Sequence, residues 1–107
     1  MEAALRALAE PHRREILRLV GEEELPAGRI AEHFDVSGPA ISQHLRVLKE
    51  AGLVTERRDG TRRLYRARPE GLRDVRAFLE SFWDEQLVTL KHAAEWEERR
   101  KRRGRRG

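Results

Sequence analysis

The chain has no cysteine, which removes disulfides, thiolate metal centres and thiol redox switches together. It has no apolar run long enough to span a bilayer and no signal-peptide pattern at its N-terminus, so the reading is of a cytoplasmic protein without membrane attachment. No glycine-rich phosphate loop and no set of strands that would form a pocket is seen. Ser42 and His44 are two residues apart, and on a helix such side chains point away from each other. No catalytic constellation is left, so an enzyme is not expected. There is no internal repeat, and lysine is scarce, nearly all the basic residues being arginine.

What is present fits one small domain. In 107 residues, 38% are hydrophobic and 39% charged, enough for one core with little apolar surface to spare. A monomer of this size is marginal, and association with a second copy offsets that. The net charge is +4 and the isoelectric point near 10.3, a balance that favours a polyanionic partner. Much of the excess lies in the run Arg99-Arg100-Lys101-Arg102-Arg103-Gly-Arg105-Arg106. Residues 1–98 are therefore read as the folded domain and 99–107 as a basic, disordered tail. The alternative left open is that the tail continues the last helix.

The most informative segment is Ser37 to Leu48. Ser37 is a good helix N-cap, and Pro39 fits a first turn whose amides have no partners. Ile41, Leu45 and Leu48 fall at i, i+4 and i+7 on one apolar face. Pro39, Ser42, Gln43 and Arg46 fall on the other, whose short polar groups suit base edges and phosphates. Gln43 pairs a donor with an acceptor, as adenine's major-groove edge requires. Arg46 suits guanine or a phosphate, and Ser42 either. His44 flanks the apolar face, where packing or a phosphate contact is favoured over base reading. The bland alternative is a merely solvated face.

Around this segment the pattern predicts helices over 3–10, 12–20 and 27–34. The Ser37 helix should end at Gly52 as a left-handed C-cap. Leu53 to Arg58 and Arg62 to Arg68 read as strands joined at Asp59-Gly60, and Pro69 stops the second. One long helix then runs from Glu70 to about Arg100. Its apolar stripe is Leu72, Val75, Leu79, Phe82, Trp83 and Leu90, interrupted by Gln86. Arg58, Thr61, Arg62 and Arg63 cluster at the hairpin tip, either as an edge kept soluble by charge or as a wing that grips phosphates. The expected fold is mainly helical with a small β-hairpin: a winged helix-turn-helix with a long C-terminal dimerisation helix. The last helix carries more apolar surface than so small a core can cover. A dimer seam of Leu5 and Leu8 with Leu79, Phe82, Trp83, Leu87 and Leu90 is therefore expected, against the plainer reading of ordinary core.

Three motifs in order resemble the ArsR-type bacterial repressors across nearly the whole folded length. They are Leu8-Ala-Glu-Pro11-His-Arg13-Arg14-Glu-Ile16-Leu17, the segment from Ser37 to Val54, and Arg58-Asp-Gly60-Thr-Arg62-Arg-Leu-Tyr65. The resemblance implies a homodimer on double-stranded DNA, held by its first and last helices, whose repression is relieved by an effector. It also implies the DNA-binding set Ser37, Gly38, Pro39, Ser42, Gln43, His44, Arg46, Arg58, Thr61, Arg62 and Arg63. Many members sense metals. Here Pro26 and Gly28 stand where thiolate ligands would be. His92 and Glu95 match half of a zinc pattern on the last helix, but Leu79 and Ser81 occupy the other half. Neither metal nor cofactor is therefore expected. The Phe82-Trp83 pair is similar to a subgroup not generally recognised as metal sensors, whose inputs include sequestration by another protein.

Overall fold

The computed structural model describes the backbone of residues 1–106 and the side chains of residues 1–82 and 88–101. In chain order the elements are α1 (Glu2–Leu8), α2 (Pro11–Glu22), β1 (Leu25–Pro26), α3 (Ala27–Ala31), α4 (Gly38–Glu50), β2 (Val54–Asp59), β3 (Arg62–Ala67) and α5 (Pro69–Arg106). Two compact units result, Met1–Val75 and Arg76–Gly107.

The first unit is built around apolar stripes at helical spacing. Ile16, Leu17 and Val20 of α2, Ile30 of α3, and Ile41, Leu45 and Leu48 of α4 are all buried, together with Leu53, Val54 and Val75. No polar or charged residue with a described side chain is buried in this core. α1 ends against the start of α2 through arginine side chains. Arg13 donates to the carbonyls of Ala7 and Arg6, and Arg14 to that of Leu8, so carbonyls orphaned at the end of α1 gain partners. Leu5 and Leu8 are partly buried against the same core.

β1 is an addition to the expected hairpin. Leu25 and Pro26 pair antiparallel with Tyr65 and Leu64, which makes a three-stranded sheet in the order β1-β3-β2. Two residues, one of them proline, give no alternating pattern to read. Proline has no amide to offer a ladder, which confines it to an edge such as this. α2 runs through Gly21 to Glu22, and α3 stops at Ala31.

α4 is stopped by a double cap. The Leu53 amide donates to the Leu48 carbonyl and the Gly52 amide to the Lys49 carbonyl, both at 3.0 Å, with Gly52 at φ +75°. This is the Schellman pattern, with glycine at the position where a side chain would strain the backbone. The Gly52 carbonyl also receives the start of α5. A Cβ built on Gly71 would lie 2.1 Å from that oxygen, so only glycine permits the approach.

α5 is a single helix of 38 residues. It continues past the expected end near Arg100 as far as Arg106, which is the continuation left open by the sequence. Arg100 pairs with Glu97 at 2.8 Å and lies over the Trp96 ring, and basic residues suit the C-terminal end of a helix dipole. Within the second unit Phe78, Leu79, Phe82, Val88, Leu90 and Trp96 are all exposed, Leu90 to 63%. Phe78 and Phe82 stack on one another with ring centroids 6.4 Å apart. The side chains of Trp83 and Leu87, two of the expected seam residues, lie outside the described residues.

Candidate nucleic-acid interface

The polar face of α4 is presented because its opposite face is locked. Ile41, Leu45 and Leu48 are essentially inaccessible, which fixes the helix's rotation about its axis. The start is fixed too, since Ser37 Oγ accepts from the Ala40 amide at 3.2 Å. Ser42, Gln43 and Arg46 are exposed as a consequence. Arg46 is held along the helix by Glu50, one turn on, at 3.1 Å. A pair so exposed contributes little to stability, so exchanging it for a phosphate or a base costs little.

The wing approaches from the other side of a groove. β2 and β3 pair from Val54↔Ala67 to Asp59↔Arg62. The loop is therefore Gly60-Thr61, and Asp59 is the last paired residue rather than a turn centre. Of these two loop residues only Gly60 has positive φ, as a type II′ turn requires at its first central position. Arg58, Thr61, Arg62 and Arg63 are exposed at this end. Arg62 lies 3.8 Å from Asp59 and Arg63 4.0 Å from Glu56, while Arg58 has no ion pair among the described residues.

Between α3, α4 and the wing lies an open groove of about 770 Å³, lined by Ser42, Arg46, Arg62 and Arg63. Two cations that sequence reasoning missed line it as well, Arg29 and Lys49. Lys49 was within reach of that reasoning, because Ser42, Arg46 and Lys49 stand at i, i+4 and i+7. Arg29 was not, since its place depends on how α3 packs beside the wing. Glu56 lies at the groove's root, 3.6 Å from Lys49. Tyr65 stands beside it. Burial first, and then its hydrogen bond to Glu56, push the Tyr65 phenol above its ordinary range. Arg57 points elsewhere and clamps Glu24 through a bidentate pair (Nε to Oε2, 3.1 Å). That hydrogen bond holds the Glu24 carboxyl below the usual carboxylate range.

His44 does not join the exposed face. It is turned toward the start of α2, its ring stacked on that of His12 with centroids 5.6 Å apart, and its side chain is 19% exposed. Its place beside the apolar residues decides this, which fits the packing role weighed for it above rather than base reading. Gly38 and Pro39 form the first turn of α4 and remain exposed beside Ser42.

A sequence family described as a helix-turn-helix domain, HTH_20, matches residues 8–57. The HTH-type transcriptional regulator Rv2034 of Mycobacterium tuberculosis (strain H37Rv) is 44% identical over 87 residues, 81% of this chain and 81% of that protein. The transcriptional repressor SdpR of Bacillus subtilis is 43% identical over 60 residues, 56% of this chain and 67% of that protein. Among solved structures, the homodimeric winged helix-turn-helix DNA-binding domain of Mb0332 from Mycobacterium bovis, a possible ArsR-family regulator, superimposes with a TM-score of 0.64. It is 33% identical, with 78% of each chain covered.

Proposed function

Because the chain belongs to the ArsR family of winged helix-turn-helix transcriptional regulators, we propose that it acts in the cytoplasm as a homodimeric repressor on an inverted-repeat operator. α4 enters the major groove. Gln43 and Arg46 read base edges, and Ser42 contacts a base or a phosphate. Arg58, Thr61, Arg62 and Arg63 grip the backbone beside it, together with Arg29 and Lys49 from the groove. Two-fold symmetry places the half-sites ~10 base pairs apart, centre to centre, or slightly more. The observation that carries this reading is the rotation of α4, which buries three aliphatic residues and leaves Ser42, Gln43 and Arg46 exposed next to the wing's arginines. The basic run at 99–107 adds sequence-blind attraction to phosphates.

Selection of sites from a random duplex library, with the recovered sites retested across a salt series, examines the proposal directly. A palindrome bound far more tightly than random DNA is the expected result. Recovery of salt-sensitive, sequence-blind binding alone overturns it.

A second reading draws on the exposed aliphatic and aromatic residues of α5. Under it, Phe78, Leu79, Phe82 and Leu90 receive a sequestering partner protein instead of a second copy. Sedimentation of the isolated chain separates the two, since a dimer at working concentration favours self-association and a monomer favours the foreign partner.

A further inference from the structure

Away from the groove, three side chains with metal-ligand chemistry converge where α2 begins and α4 passes. They are Glu10, the N-cap of α2, together with His12 and His44. A ligand atom from each lies within 4.8 Å of the other two. Glu10 Oε1 is 2.9 Å from His12 Nδ1, and Glu10 Oε2 is 3.9 Å from His44 Nδ1. The second distance is too long for a hydrogen bond. His44 Nδ1 is buried, and among the described residues it is the one buried side-chain polar atom recorded without a hydrogen-bond partner. Such an orphan requires an explanation, and an ion is one of the recognised ones.

We propose that Glu10, His12 and His44 form a divalent transition-metal site that ties the start of α2 to the recognition helix, with zinc as the ion it takes. Two imidazole nitrogens and one carboxylate oxygen suit zinc, and three protein ligands leave a fourth tetrahedral position for water. Around a tetrahedral zinc with bonds near 2.0–2.2 Å, ligand atoms stand about 3.4 Å apart, so the observed spacings close with shifts of roughly an ångström. The two imidazole rings are nearly parallel, at 11°. Turning them to aim both nitrogens is inexpensive, because a terminal torsion onto an sp² ring has a broad profile.

The surroundings leave the site free. Glu10 Oε2 accepts from the Arg13 amide at 3.0 Å, and the carboxylate has further lone pairs to bind an ion while keeping this cap. The guanidinium groups of Arg13 and Arg14 are committed to carbonyls at the end of α1. The Phe34 ring stands 5.7 Å from that of His12 and supplies an apolar wall. Its three residues belong neither to the 24–31 segment nor to the last-helix pattern, where Pro26, Gly28, Leu79 and Ser81 break the two ligand sets considered above.

The test is titration of the chelator-stripped full-length chain with Co²⁺, read by its visible ligand-field absorption, followed by displacement with Zn²⁺. One ion per chain is expected, with absorption characteristic of tetrahedral coordination. Glu10→Gln, His12→Asn and His44→Asn should each weaken binding by more than the ~10–100-fold that loss of an outer-shell partner costs. A His33→Asn/His92→Asn variant should bind as the parent does. Histidine ring NMR of the parent protein keeps the proposal testable if a variant fails to fold. Zinc should move two of the four histidine signals, and His12→Asn, at a half-exposed position, identifies one of them. No cobalt spectrum, or a spectrum that follows His33 and His92, overturns the site.

Discussion

α4 and the part of α5 beyond Val75 carry similar apolar stripes with opposite outcomes. In α4 the stripe of Ile41, Leu45 and Leu48 is at most 1% exposed, whereas Phe78, Leu79 and Phe82 of α5 are 42–48% exposed. A stripe at helical spacing therefore announces burial without saying against what. The first unit completes its own core. The second has apolar surface left over, which is the physical requirement for a partner.

The sharpest way to break this contrast is to substitute one residue of each kind. Leu45→Ala should cost the first unit ~2–5 kcal/mol, because it leaves a cavity in a closed core. Urea unfolding followed by circular dichroism measures it, and a loss below ~1 kcal/mol would mean that the core is not closed around α4. Phe82→Glu should leave that core intact and shift the monomer–dimer equilibrium by ~2 kcal/mol or more, as a charge at a buried contact does. Sedimentation at several concentrations reads the shift, and unaltered self-association would remove Phe82 from the seam. Gly71→Ala should destabilise by ~1–3 kcal/mol, since a methyl there meets the Gly52 carbonyl and forces backbone apart. A neutral Tm would show that the start of α5 is free to move.

The next pair divides the proposed DNA-facing surface itself. Gln43→Ala should cost ~1–3 kcal/mol at one operator position per half-site, while Arg62→Ala should weaken all sequences and reduce the salt slope by about 1. Competition binding on operator variants at several salt concentrations distinguishes them, and an equal loss on every sequence for Gln43→Ala would end its base-reading role. The smallest effect concerns the wing's root. Tyr65 is the one tyrosine, and burial and Glu56 both raise its pKa in the folded state. The stability this group contributes is therefore fully present below the unfolded value near 10 and is lost as pH rises through the folded value. Titration by phenolate absorbance should show the raised midpoint, and Glu56→Gln should lower it part of the way.

Legibility followed the range of the interactions. Ser37, Gly52 and Gly60 act on residues within a few positions of themselves, so the caps of α4 and the existence of the hairpin could be read from their neighbours in the chain. The placing of the turn centre was one residue early, because Asp59-Gly60 and Gly60-Thr61 both suit a tight turn and only the pairing of Asp59 with Arg62 selects between them. β1 is two residues long and exists because Tyr65 and Leu64 present an open edge to it. His44 sits on the boundary between two faces, and its direction depends on what α2 places opposite.

By itself the sequence determined the helices, the hairpin, their order and the buried side of α2, α3 and α4, because periodicity and capping are local properties of the chain. It also determined the chemistry of the exposed polar face of α4. Only the tertiary structure decided which side chains from distant segments share a space. It brought Arg29 and Lys49 into the groove with the wing arginines, joined β1 to β3, and gathered Glu10, His12 and His44 into one cluster. The physical reason is that helix rotation and packing angle are set by core contacts between residues far apart in the chain. A side chain's neighbours across that gap leave no mark at its own position.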